Sequence, residues 1–144
     1  MFIPLKNHST YTLQKSISKP WQIIRKCIKS GYDTCGITDS GSLAGTVQFL
    51  KACQEGCECG EPKSLHLAGK RLCVLSKCQE FRPKKIKPIL GTELFVNGKT
   101  LTVLAKNKDG WKELVKLCNE SNFPENFNIV PQISLNKINT KNLS

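Results

Sequence analysis

The chain has 144 residues, 39% hydrophobic and 23% charged. That length fits one average domain or a piece of a larger one, and the mixture excludes a disordered tail, a collagen-like chain and a coiled coil. Lys and Arg number 22 against 11 acidic residues, a formal net charge of +11, which favours nucleic acid or another polyanion as partner.

In chain order, Phe2 to Lys6 reads as a short strand ending at the turn formers Asn7-His8-Ser9-Thr10. Ser18 reads as a helix N-cap with Pro20 in the first turn, Trp21, Ile24, Cys27 and Ile28 repeat at helical spacing, and Gly31 supplies the stop. Tyr32 to Thr38 reads as a second strand, and Asp39-Ser40-Gly41-Ser42 turns the chain into a helix with Leu43, Val47 and Leu50 on one face. This is the βαβ pattern, which sets strands parallel and gathers the loops after them on one side, where α/β proteins build their sites.

Glycines, prolines, cysteines and basic residues interrupt any period from Gln54 to Ile86, the mark of an insertion or a long functional loop. Regularity returns with Lys87 to Gly91 and Glu93 to Val96, a hairpin signal at Asn97-Gly98, and a strand from Thr100 to Ala105. Asn107 or Asp109 caps a helix whose stripe is Trp111, Leu114, Val115 and Cys118. After Ser121 the chain is Asn-rich and irregular, with a weak helix start at Ser134-Leu135.

Five ordered blocks carry a resemblance: Phe2 to Leu13, Gly36 to Ser42, Phe49 to Cys53, Lys87 to Glu93 and Leu101 to Asn107. Together they resemble the N-terminal polymerase and histidinol phosphatase (PHP) domain of the bacterial DNA polymerase III alpha subunit. The resemblance implies an α/β fold, the first half of a distorted (β/α)7 barrel interrupted by a Cys-rich insertion. It also implies a metal cluster at the strand ends, with which some family members hydrolyse phosphoesters or act as 3′–5′ exonucleases. Imidazoles suit such a cluster, and bridging carboxylates hold two metals close enough to activate water.

Carried over residue by residue, the family's His-x-His pair falls on Lys6 and His8, with Pro4 at a further position commonly His in the polymerases. In the Thr-Asp-His-Gly block Asp39 remains and Ser40 replaces the histidine, while Glu93 stands in the third block. The family's remaining ligands come from a later half that this chain does not reach. A protonated lysine has no lone pair to give and repels a divalent cation, so neither catalytic metals nor phosphoesterase activity is expected. The bland reading of His8 is an imidazole bonded to backbone or to Asp39; Asp39 and Glu93 would accept loop N–H or Lys6 bonds.

On the same resemblance, residues 54–86 exceed the usual connection by about 28 residues. Cys57, Cys59, Cys73 and Cys78, with Cys53 and His66 in reserve, form a candidate structural zinc site. Their Cys-x-Cys and Cys-x4-Cys spacings are less typical of zinc than Cys-x2-Cys, and the alternative is a flexible loop with free thiols. Lys70, Arg71, Lys77, Arg82, Lys84 and Lys85 are candidates for weak, non-specific DNA contact, against a plain solvated basic face.

The organisation expected is therefore first βα units over 1–53, the insertion over 54–86, a hairpin and βα unit over 87–121, and an irregular tail over 122–144. No run approaches the roughly 20 apolar residues of a membrane span, and Met1 to Lys6 lacks the features of a secretory signal, so a cytoplasmic chain is expected. The leading function is a non-catalytic segment of a replicative polymerase. It would serve structure or docking, with the remainder of a polymerase or another replisome protein as partner. The alternatives are a phosphoesterase or exonuclease completed by another chain, and a small zinc-stabilised DNA-binding protein. Half a barrel should leave open strand edges that aggregate or seek a partner.

Overall fold

The computed structural model describes residues 2–55, 64–67, 70–73, 84–128, 130–138 and 141–144. Helix α1 (Pro20–Lys29) begins with Pro20 at its first position, and that ring forces Lys19 into extended backbone at φ −67° and ψ 149°. The helix therefore starts after Lys19 and Ser18 is not its cap; the Lys19 N–H donates instead to Gln22 Oε1 at 2.7 Å. Gly31, at φ 75°, ends it in the left-handed region.

Strand β1 (Thr34–Ser40) and helix α2 (Thr46–Glu55) follow. The short strands β2 (Ser64–Leu67) and β3 (Lys70–Cys73) pair antiparallel. Strand β4 (Lys87–Val96) is one continuous strand of 10 residues, joined to β5 (Lys99–Leu104) by Asn97 and Gly98 at φ 49° and 77°, the two-residue turn their sequence signals. Helix α3 (Lys108–Ser121) is capped by Asn107, whose side chain accepts from the Gly110 N–H at 2.8 Å. Two-residue strands β6 (Phe127–Asn128) and β7 (Val130–Pro131) follow, and a 3-10 turn, Leu135–Lys137, closes the element order.

The three-stranded sheet runs β1-β4-β5, with β1 and β4 parallel and β4 and β5 antiparallel. The β1-α2-β4 crossover is thus a βαβ unit, and the described residues make a mixed α/β fold with an open sheet. Cys53 and Ile86 meet, the Ile86 N–H donating to the Cys53 carbonyl at 3.0 Å. One core joins Ile24 and Ile28 of α1, Cys35 and Ile37 of β1, and Phe49 and Ala52 of α2. A second joins Leu94, Val96 and Val103 to Leu114 and Leu117 of α3.

Four expectations are corrected. Phe2 to Lys6 is no regular strand, although it follows β1. The N–H groups of Gly36 and Thr38 donate to the carbonyls of Pro4 and Asn7, both at 2.8 Å, and a spacing of two against three breaks the ladder. In α2 the buried face is Phe49, Ala52 and Cys53, while Val47 is 63% exposed, because the helix packs through Phe49 against α1. The tail beyond 122 is not merely irregular: Ile133 and Leu143 enter the second core. Finally, each sheet edge is covered in part. The N-terminal segment lies on β1, and Ser144 exchanges backbone bonds with Leu104 of β5 at 2.6 and 2.9 Å. Among the described residues no helix is long and apolar enough to cross a membrane.

Candidate functional site

The parallel register sets Ser40 directly opposite Glu93, so the last residue of β1 and a mid-strand residue of β4 share one face. The Ser40 hydroxyl accordingly donates to Glu93 Oε2 at 2.7 Å. Glu93 is 4% exposed, and a carboxylate buried to that extent needs compensating charge. Two ammonium groups supply it, Lys6 Nζ at 2.7 Å from Oε1 and Lys15 Nζ at 3.2 Å from Oε2. Lys15 also donates to Ser40 Oγ at 3.2 Å, closing the cluster. Burial pushes the Glu93 carboxyl up, but the hydrogen bonds from Lys6, Ser40 and Lys15 outweigh it and hold the group down at about 2.

Asp39, 2% exposed, is held by the loop that follows the N-terminal segment. It accepts from the Ser9 N–H at 2.5 Å, the Ser9 hydroxyl at 2.7 Å and the Thr12 hydroxyl at 2.8 Å. Both oxygens are engaged, so Asp39 ties residues 9–12 to the end of β1. Gly45 permits this, since a Cβ there would lie 2.7 Å from Asp39 Oδ2 and 2.9 Å from Ser9 Oγ.

His8 stands 4.0 Å from Glu93 Oε2 through Nε2. Its buried Nδ1 has no hydrogen-bond partner among the described residues, and Asp39, committed to Ser9 and Thr12, does not bond it. That corrects the expected His8 to Asp39 contact. These donors do not fit a divalent cation: an ammonium occupies one Glu93 oxygen, a second ammonium and a hydroxyl the other, and the Asp39 oxygens face hydroxyls and a backbone N–H. Among the described residues no group of three or more His, Cys, Asp or Glu side chains converges on a point. Beside the cluster opens a cleft of about 860 Å³, lined by Tyr11, Lys15, Ser40, Glu93 and Asn122 among others.

Lys15 was not legible as a site residue, because nothing in the sequence distinguishes it from the other lysines. The turn that aims it includes Gln14 at φ 64°. Ser9 and Thr12 escaped for the same reason. Of the candidate zinc ligands, Cys57, Cys59 and Cys78 lie outside the described residues. Cys73 and His66 belong to β3 and β2, where Cys73 pairs with Ser64 and His66 with Arg71. Cys53, the reserve, is buried in the first core, and burial pushes its thiol up to about 12.

Of the candidate DNA contacts, Lys77 and Arg82 lie outside the described residues, and Lys70 and Arg71 form part of β3. Lys84 pairs with Asp33 at 2.7 Å, and Lys85 is exposed.

Comparison with known proteins shows the family. Residues 4–143 match the PHP domain family. The DNA polymerase III subunit alpha of Buchnera aphidicola is 31% identical over 81% of this chain and 8% of its own length. That of Staphylococcus aureus is 30% identical over 93% of this chain and 11% of its own length. An error-prone DNA polymerase of Hahella chejuensis is 29% identical over 80% of this chain and 9% of its own. The chain thus spans about a tenth of the relatives it matches.

Proposed function

Because the chain belongs to the PHP domain family, and because ammonium and hydroxyl groups surround the buried Glu93 carboxylate, we propose that it is a non-catalytic PHP segment of a replicative polymerase. Its work is structural and docking, with the remainder of a polymerase or another replisome protein as partner. One observation carries the reading: Lys6 Nζ stands 2.7 Å from Glu93 Oε1, so the position that the family gives to a metal-binding imidazole holds a fixed positive charge. No hydrolytic step follows from this arrangement.

The test is a nuclease assay on single-stranded and duplex DNA with Mn²⁺ or Zn²⁺ added. No nucleotide release is expected, and metal-dependent release by the unaltered chain would overturn the reading in favour of a phosphoesterase. The double variant Lys6→His, Ser40→His supplies the complementary arm. It should bind Mn²⁺ at least about tenfold more tightly than the parent, as expected when lone-pair donors replace a cation and a hydroxyl.

The insertion is, on this reading, an accessory element ordered by zinc through Cys57, Cys59, Cys73 and Cys78. Support comes from the β2–β3 pairing and the closed stem at Cys53 and Ile86, since so short an excursion has little core of its own. Elemental analysis of protein purified without chelator decides the matter, and less than about one-fifth of an equivalent of zinc sinks it. The basic residues around the insertion would add weak DNA contact that falls steeply with salt.

A further inference from the structure

Away from the Glu93 cluster, three thiols meet where α1, β1 and α2 pack: Cys27, Cys35 and Cys53, exposed by 5%, 0% and 1%. Cys27 and Cys35 are the intimate pair, with their sulfurs 3.0 Å apart. That is inside the roughly 3.5–4.0 Å at which non-bonded heavy atoms normally settle. The turn between them makes the approach: Gly31 reverses the chain at φ 75°, and the Tyr32 N–H returns to the Cys27 carbonyl at 3.0 Å. We infer that Cys27 and Cys35 are a reversible oxidation site, closed by peroxide to a disulfide that clips α1 to β1.

The two sulfurs differ in the way the chemistry requires. The hydrogen bond shared with Cys35 holds the Cys27 thiol below the ordinary thiol range; burial opposes this and the Lys26 charge assists it. Cys35 is pushed the other way, by its bond to Cys27 and by burial. Cys27 is therefore the attacking thiolate and Cys35 the resolving thiol. The Cys27 sulfur attacks one peroxide oxygen, the O–O bond breaks, hydroxide leaves and a sulfenic acid forms. Cys35 then gives up its proton and attacks the Cys27 sulfur; the S–O bond breaks and the oxygen departs as water. Two thiols have lost two electrons and two protons, and the peroxide has become two waters. Cys53 stays a protonated bystander, its thiol raised to about 12 by burial.

The clip also touches the segment that serves Glu93. The Asn7 amide donates to the carbonyls of Pro4 and Gly36 at 3.0 and 2.9 Å, and to the Cys35 sulfur at 3.8 Å. Asn7 sits between Lys6 and His8, so a change at Cys35 reaches the strand-side contact that positions both.

The experiment treats the full chain with hydrogen peroxide under native conditions, blocks remaining thiols with N-ethylmaleimide in denaturant, and maps the peptides. Cys27 and Cys35 should lose their label together in one cross-linked product about 2 Da lighter than the two free peptides. Cys53 and Cys118 should keep theirs, and dithiothreitol should restore the dithiol. Cys35→Ser should leave Cys27 as a sulfenic acid that reacts with dimedone. Continued labelling of both cysteines, oxidation of Cys27 to sulfinic acid without a cross-link, or pairing of either with another cysteine would overturn the inference. The mapping on the unaltered chain decides it even where the serine variant fails to fold.

Discussion

Replacing Glu93 by glutamine tests the electrostatics of the cluster directly, because the isosteric amide removes the charge and keeps one oxygen, which can serve either Lys6 or the Ser40 and Lys15 side. The carboxyl falls from its ordinary value of 4.5 to about 2 in the folded chain. At about 1.4 kcal/mol per pH unit, the difference of about 2.5 corresponds to roughly 3 kcal/mol. Lys6 and Lys15 are 57% and 49% exposed, so water screens the pairs and roughly 1–2 kcal/mol is the expected contribution. A depressed folded value means that the unfolded chain takes up the proton first. The stabilisation is complete above 4.5 and drains away as the pH falls through that value towards 2. Urea unfolding of the parent and Glu93→Gln at a series of pH values reads this out. The parent should be more stable by roughly 1–2 kcal/mol near neutrality, and the gap should shrink steadily below about pH 5. A gap that stays constant down to about pH 3, or a variant as stable as the parent at neutrality, would refute the reasoning.

Three further outcomes follow from the packing. Gly45→Ala places a methyl 2.7 Å from Asp39 Oδ2 and 3.0 Å from Tyr11 Cδ2, and should cost about 1–3 kcal/mol in urea unfolding by overpacking; an unchanged midpoint would count against the close approach. Asp39→Asn sets an amide among the Ser9 N–H and the Ser9 and Thr12 hydroxyls, so a loss of about 1–3 kcal/mol and faster amide exchange at residues 9–12 are expected. Leu143→Ala removes a side chain 2% exposed beside β5 and should cost about 2–5 kcal/mol, a loss that a merely draped tail would not show.

What could be read from the sequence is what local chemistry decides. Pro20 and Gly31 bound α1, Asn97-Gly98 makes the hairpin and Asn107 caps α3, because ring geometry, left-handed backbone and a capping amide act over a few residues. The buried face of α2 was misjudged because Val47 and Phe49 are both apolar, and only the position of α1 selects Phe49. The C-terminal strand-edge contact was illegible for a related reason: Ser144 bonds to Leu104 through backbone alone, which no side-chain pattern advertises. In the site, Lys6, Ser40, Asp39 and Glu93 emerged from the resemblance. Lys15 did not, because its role depends on a turn and on a carboxylate 78 residues away in sequence.

On the function proposed above, the cluster would let a fold of this family dispense with a metal at this point. A divalent cation beside Glu93 would supply two positive charges, keep the carboxylate ionised and tie the ends of neighbouring elements together. Lys6 and Lys15 bring the same charge in covalently attached form, and Ser40 completes the hydrogen bonding. The electrostatic requirement of a buried carboxylate between β1 and β4 is met, so the architecture survives. The ammonium groups offer no open coordination position and no acidified water, which is the part of the metal's role that hydrolysis needs. On this view stability and catalysis, joined in one ion elsewhere, have come apart here. Lys15→Met tests it separately from Lys6→Met: each should raise the Glu93 carboxyl and weaken the fold, and neither should create hydrolytic activity, because removing a cation restores no ligand.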